Sequence, residues 1–366
     1  MKLKPQKPYR ILRCAAEAVI AALLLMMTFG GLVRSAADAG TCRVEPPVRA
    51  LDLPRYYSDA DKSVVDPAKL AANKAATRSV RKYTRSVVRA ADRAWTAPDR
   101  ATRNGAAACA VERLRSWAKA SALLGEMKSR QAEYERKWTS AALSLATLKI
   151  ADRLSSQDAA KITAWLTALA DRSYAFAASP GRIRNNHWYW AGLGQAATSM
   201  VVASTHSARR ENEHDEVRLW RRAQSIFRDA MSDIDADGLL AKEAERGRRA
   251  LHYHVFSVMP LVVMAELAAH RGEDWWSMSD GALERLVALV ASAIRNPEAF
   301  PITGQERPIN TRAGWAYLVV DRFGQATPAA ALAEDVIAKR SHRLIGGDAR
   351  VLKSALDAFR ARRPSR

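Results

Sequence analysis

Two short stretches hold the residue types with the most chemistry in them. The first is Arg184-Asn-Asn-His-Trp-Tyr-Trp190, and the second, further along, is Arg246-Gly-Arg-Arg-Ala-Leu-His-Tyr-His254. Together they offer an amide, an imidazole, guanidinium groups and a phenol. That set suits removal of a proton from a carbon next to a carboxylate. Such a proton is weakly acidic because the carboxylate resists further negative charge. An Arg, a His or an amide must first offset that charge, and stabilising developing charge is usually the largest catalytic term. A base then takes the proton and an acid protonates the departing oxygen, together contributing about 10²–10⁴ in rate.

Elements must place these groups. Asn186 and His187 are expected to open a helix directly after Ser-Pro-Gly-Arg, where unpaired N–H groups favour a carboxylate. Arg246 and Arg249 precede Tyr253 by seven and four residues, so on a helix both share its face. A free tyrosine titrates near 10, and positive charge beside Tyr253 would lower that value. Trp188, Tyr189 and Trp190 are core or stack on a ligand. Three consecutive aromatics on one helix are not expected all to face inward, so at least one lines a surface. His187 and Tyr253 can equally be structural, and His252 and His254 should point away from Tyr253.

Periodicity predicts helices over 67–95, 106–125, 132–153, 157–174, 185–206, 210–231, 248–270, 280–295, 311–321, 328–340 and 348–361. Turn signals separate them at Ala97-Pro98, Asn104-Gly105, Ser179-Pro180-Gly181, Asp237-Gly238, Arg295-Asn-Pro297 and Gly346-Gly347. Short connections imply antiparallel hairpins, arranged as a bundle, a solenoid or a curved ring. The expected class is all-α, without a strand-rich second domain.

The 366 residues carry 58 basic and 38 acidic side chains, a net charge of +20. Residues 1–39 resemble an export signal: a basic start, an apolar run from Ala18 to Val33, and small residues for cleavage near Ala37 or Ala39. That leaves one domain over 40–366 with net charge +16 in an expected periplasmic location. The run is short for a membrane anchor, which needs about 20 residues. The charge fits a polyanionic polysaccharide partner or merely aids solubility; export argues against nucleic acid. Cys42 and Cys109 remain after cleavage, either as free thiols or as a disulfide worth about 2–4 kcal/mol. Asp233-Ile-Asp-Ala-Asp-Gly238 imitates a calcium loop, but its twelfth position is Ala244 and a turn is the better reading. Zinc spacing and Gly-rich phosphate loops are not found, so no metal or cofactor is called for.

The two stretches resemble the bacterial alginate lyases, the periplasmic poly(β-D-mannuronate) lyases. Their Arg-Ile-x-Asn-Asn-His-Ser-Tyr-Trp pattern reads here Arg182-Ile-Arg-Asn-Asn-His-Trp-Tyr-Trp190. Their second pattern reads, without a gap, Asp237-Gly-Leu-Leu-Ala-Lys-Glu-Ala-Glu-Arg-Gly-Arg-Arg-Ala-Leu-His-Tyr-His254. Looser likeness covers Tyr57 to Asp66, Cys109 to Gly125 and Glu133-Tyr-Glu-Arg-Lys-Trp138, and weakens after Met264.

The resemblance implies an incomplete α/α toroid with a deep cleft and a monomeric lyase of mannuronan-like polymer. It implies that Asn186, His187 and Arg246 neutralise the uronate carboxylate and that Tyr253 transfers the proton. His187 would share the base role on the other epimer. Lys62 would lie in a mobile lid and touch substrate, and Cys42 and Cys109 would be bridged. Tyr57, Trp188, Trp190 and Arg249 complete the candidate substrate-binding set. Trp188 stands where the family has Ser, which bears on substrate choice. Glu245 replaces a small residue and is placed to tune Arg246. The alternatives are a non-catalytic polysaccharide-binding protein of the same shape and a hydrolase using Glu243 and Glu245.

Overall fold

Side-chain caps set where the helices begin. Asp66 accepts from the backbone N–H of Lys69 at 3.0 Å, with Pro67 following at the first helical position. Asp99, Ser129 and Ser155 cap three further helices in the same way. In the computed structural model of the chain these cap α1 (Pro67–Ala76), α3 (Arg100–Lys119), α4 (Arg130–Leu148) and α5 (Ser156–Ala178), while α2 (Arg78–Thr96) starts after Thr77 without a side-chain cap. There follow α6 (Asn186–Ser204), α7 (Glu213–Ser232), the single-turn α8 (Ala241–Ala244), α9 (Ala250–Arg271) and α10 (Met278–Arg295). Helices α11 (Ala316–Phe323), α12 (Ala329–Asp335) and α13 (Ala349–Ala361) complete the set. Ser341–His342 and Gly347–Asp348 pair as a minimal antiparallel ribbon.

The structure describes residues 42–60, 62–205, 213–306, 313–335 and 341–361. The contacts divide it into Met1–Arg43 and Val44–Arg366. The expected signal segment lies outside the described residues, as do parts of the helices expected at 210–231, 311–321 and 328–340. Cys42 and Cys109 are both disulfide-bonded.

Two boundaries differ from expectation. The helix expected over 67–95 is divided at Thr77, whose buried hydroxyl bonds back to the Asn73 carbonyl at 2.8 Å. Asn104-Gly105, expected as a break, lies inside α3, because the Asp99 cap starts that helix earlier. A Cβ at Gly105 would meet nothing, so glycine there costs only propensity.

Helix α6 is the hub. It packs against α4, α5, α7 and α9. Nearly its whole circumference is therefore apolar or small. A Cβ at Gly192 would stand 2.7 Å from Ile226 Cγ2 on α7, so glycine permits the close α6–α7 approach. Helix α9 is long and apolar enough to cross a membrane, but 94% of its apolar window is buried inside the protein. With α4 and α6 it is a core element, and the ends of these three helices carry the candidate residues.

Candidate active site

The segment before α1 folds back on itself. Tyr57 bridges Val65 in antiparallel fashion, and the Asp66 N–H donates to the Tyr56 carbonyl at 2.9 Å. Inside this loop Asp59 accepts from Ser63 N and Oγ and from Val64 N at 2.7–2.8 Å. Against the opposing effect of desolvation, these bonds pull the Asp59 carboxyl down to about 2. Lys62, at the tip, takes a left-handed backbone with φ 58° and an exposed side chain. The cross-braced Asp59 holds that uncommon conformation.

Helix α6 begins where expected. Asn185 caps it, its side chain accepting from the His187 N–H at 3.2 Å. Asn186 is wholly buried and gives its backbone N–H (2.7 Å) and its Nδ2 (2.8 Å) to Glu243 Oε1. His187 is half-buried, its ring stacked on Tyr134 with centroids 3.7 Å apart and planes at 14°. Behind it, Lys137 Nζ lies 3.2 Å from His187 Nδ1 and donates to the His187 carbonyl at 3.0 Å.

The second stretch is a single turn, a tight 3₁₀ turn at Gly247–Arg249, and then α9. Gly247 has φ 52°, which lets the chain change direction between Arg246 and the helix. Arg246 and Tyr253 thus do not share one helix, yet the Arg246 guanidinium stands 5.0 Å over the Tyr253 ring. Arg249 stands 5.7 Å from the same ring and donates to the Tyr57 hydroxyl at 3.0 Å. The Tyr253 hydroxyl donates to Tyr57 Oη at 3.0 Å and approaches the Lys62 carbonyl at 3.5 Å. His254 points away, as expected. Its Nε2 accepts from Leu240 N at 2.9 Å and its Nδ1 lies 2.8 Å from the Ala250 carbonyl. It braces the loop that carries Arg246.

The electrostatics tie these pieces into one site. Burial, and then the positive charges of Lys137, Arg246 and Lys62, hold His187 well below its ordinary value, so the ring is neutral. Burial raises Tyr253, and it outweighs the lowering by the Tyr57 hydrogen bond, Arg249 and Arg246. Both guanidinium groups lower the phenol, as expected, but desolvation of a phenolate outweighs them. The Arg246 guanidinium stands over the Tyr253 ring, and its charge, with that of Lys62, also acts on His187.

Asn186, His187, Arg246, Tyr253, Tyr57, Lys62 and Arg249 are thus brought together. Trp188 and Trp190 are not. They are 3% and 0% exposed, and their indole N–H groups are spent on Asp229 Oδ2 (2.9 Å) and the Phe256 carbonyl (3.1 Å). Tyr189 is buried too, its hydroxyl 2.9 Å from Asp233. The premise that one of the three must face outward fails because α6 is packed on all sides. Nor is Glu245 the carboxylate at Arg246. Glu245 is exposed, whereas buried Glu243 lies 3.6 Å from Arg246 Nε. Glu243 is committed to Asn186 and Arg246, which removes it from a hydrolytic pair with Glu245. The calcium-like segment is a turn in which Asp235 accepts from Asp237 N and Leu239 N. Sequence reasoning missed Tyr134, Lys137 and the bracing role of Glu243. The signal for Lys137 is a lysine leading directly into the small and apolar run Thr139 to Leu148 of α4.

Comparison with known proteins shows the family. A family model described as alginate lyase matches residues 52–300. A polysaccharide lyase of Stenotrophomonas maltophilia is 37% identical over 276 residues, covering 74% of this chain and 78% of that protein. An alginate lyase of Pseudomonas aeruginosa is 28% identical over 275 residues, covering 72% and 70%. Among solved structures, alginate lyase A1-III from Sphingomonas species A1 superposes with a TM-score of 0.65 at 20% identity, covering 87% of each chain. A variant of A1-III complexed with tetrasaccharide gives 0.69 at 20% identity over 91% and 89%. The fold is an α/α toroid, and the protein is a polysaccharide lyase. More particularly, the chain belongs to the alginate lyase family.

Proposed function

We propose that this protein is an exported lyase that cuts a mannuronan-like uronate polymer by β-elimination. The supporting observation is Arg246, whose guanidinium stands over the Tyr253 ring and whose charge, with that of Lys62, acts on His187. A uronate carboxylate there would meet the Arg246 guanidinium, the neutral His187 ring and the remaining N–H of the Asn186 amide. Offsetting its charge makes the C5 proton removable.

The reaction starts from the ionised fraction of Tyr253. The phenolate takes the C5 proton. The C5–H electron pair becomes the C4–C5 double bond as the C4–O bond breaks. The same proton then passes from Tyr253 to the departing oxygen, which restores the phenolate. One product carries a 4,5-unsaturated uronate end. Lys62, Tyr57 and Arg249 border the phenol and would hold neighbouring sugar acid groups and hydroxyls.

Export rests on the N-terminal pattern and agrees with disulfide-bonded Cys42 and Cys109. The purified protein should release products with the ultraviolet absorbance of a conjugated uronate, fastest on mannuronan. Flat absorbance on every uronate polymer would overturn the reading. Mass spectrometry of the exported protein should show a new N-terminus near Ala37 or Ala39.

A further inference from the structure

We propose that Lys137 is a positioning residue: it holds His187 with its proton on Nε2, so that His187 donates a hydrogen bond to the substrate carboxylate and leaves Tyr253 as the base. This rests on the lyase reading above and specifies how its site divides the labour.

The geometry is specific. Lys137 is 1% exposed on α4, in the helix that forms one wall of the core. Its Nζ reaches two acceptors of one residue, His187 Nδ1 at 3.2 Å and the His187 carbonyl at 3.0 Å. Among the described residues no carboxylate lies within ion-pair distance of Nζ, so these contacts are its main polar company. An ammonium has only donors, so it can meet Nδ1 only where that nitrogen carries a lone pair. Burial pushes Lys137 well below its ordinary value, with the Glu133 charge opposing. As an uncharged amine it has two N–H groups for the two acceptors and a lone pair that could instead accept from an Nδ1–H; we assign the first arrangement.

The groups facing the imidazole agree with this. Lys137, Arg246 and Lys62 surround it with positive charge, Tyr134 stacks on its face and Trp138 lies 6.1 Å away. None offers Nδ1 an anionic acceptor. A neutral ring whose Nδ1 is occupied as an acceptor has its one proton on Nε2. Such a nitrogen can donate and cannot receive a proton.

The consequence is selectivity. With the carboxylate and ring held in place, the two C5 epimers of a uronate direct C5–H to opposite sides. One base serves one epimer. Lys137 thereby withholds His187 from the second, and the enzyme should favour one epimeric polymer.

Nitrogen-15 NMR of the histidine rings in the intact protein reads the tautomer directly, with His187→Gln assigning the signal. The expected pattern is an unprotonated Nδ1 and a protonated Nε2 in the free enzyme at neutral pH. A protonated Nδ1 would overturn the proposal, and this measurement needs no Lys137 variant. Lys137→Met should shift the ring toward a mixture of tautomers. It should lower kcat on the preferred polymer by about 10²-fold, as for a lost transition-state donor, with KM moved far less, and narrow the preference between mannuronan and guluronan. An unchanged NMR pattern in Lys137→Met also overturns the proposal. Failure of the lyase reading is distinct: it appears as absence of unsaturated product from the wild-type protein, whatever the tautomer.

Discussion

Glu243 receives both the backbone N–H and the Nδ2 of Asn186 on a single oxygen, at 2.7 and 2.8 Å, while its other oxygen faces Arg246. A fully buried carboxylate thus joins the start of α6 to the loop before α9. It fixes two of the groups that would meet a substrate carboxylate. Burial raises its own pKa, and the two Asn186 bonds and Arg246 oppose that rise.

Removing this carboxylate leaves a buried guanidinium and two N–H groups without their partner. Glu243→Ala should therefore destabilise the protein by about 3–5 kcal/mol, the cost of breaking a buried charge pair. Urea unfolding measures it. A loss below about 1 kcal/mol would show that Asn186 and Arg246 hold their places unaided.

Tyr253→Phe keeps the ring against Arg246 and removes only the hydroxyl. Turnover should fall by at least about 10²–10⁴-fold, the range of a proton-transferring group. Mannuronate oligomer binding, read by calorimetry, should persist. Turnover within about tenfold of wild type would take the phenol out of the mechanism.

How much of this site could be read beforehand follows from the kind of residue involved. Asn186, His187, Arg246 and Tyr253 lie in gapless motif stretches, and the Asn185 cap makes the start of α6 visible locally. Lys137 and Glu243 were harder to find. A lysine or glutamate on a helix reads as solvated until the tertiary fold buries it, and burial is set by helices far away in sequence. The tryptophans fail for the mirror reason. An aromatic triplet suggests an exposed edge only if the helix has one, and α6 has none. The hairpin pattern itself was legible because α9 and α6 are apolar and their neighbours amphipathic. The break at Thr77 was not, because no Gly or Pro marks it.

The pH profile follows from two shifts of opposite sign. His187 is held well below its ordinary value, so it stays neutral on both sides of pH about 6.5. Tyr253 is raised, so its reactive phenolate fraction grows with each unit of pH up to that raised value. From about pH 6 to about pH 9, log(kcat/KM) should climb with a slope near one and no break near 6.5. A break there would show that His187 titrates in the free enzyme.

The buried indoles predict a stability effect in place of a binding effect. Trp190→Ala should cost about 3–5 kcal/mol, as for other large-to-small core changes. Trp188→Ser should lose the Asp229 hydrogen bond and stability while leaving the preference between mannuronan and guluronan unchanged. A changed preference in Trp188→Ser, with the melting temperature intact, would put this side chain back in contact with substrate.

His254 shares the acid sensitivity with His187, and its part can be isolated. Burial holds it down to about 4, although its Ala250 bond and Asp235 push it upward. The unfolded chain takes up the proton near pH 6.5. Between those values the unfolded state binds more protons, so stability falls as pH drops from about 6.5 to about 4, by at most about 1.4 kcal/mol per unit. Protonation would also deprive the Leu240 N–H of its acceptor, loosening the loop that carries Arg246. Unfolding free energies measured across this window should show the slope in the wild-type protein. In His254→Gln the slope should shrink toward what the remaining groups supply, with lower stability at neutral pH. An equal slope in both proteins would assign the acid sensitivity elsewhere.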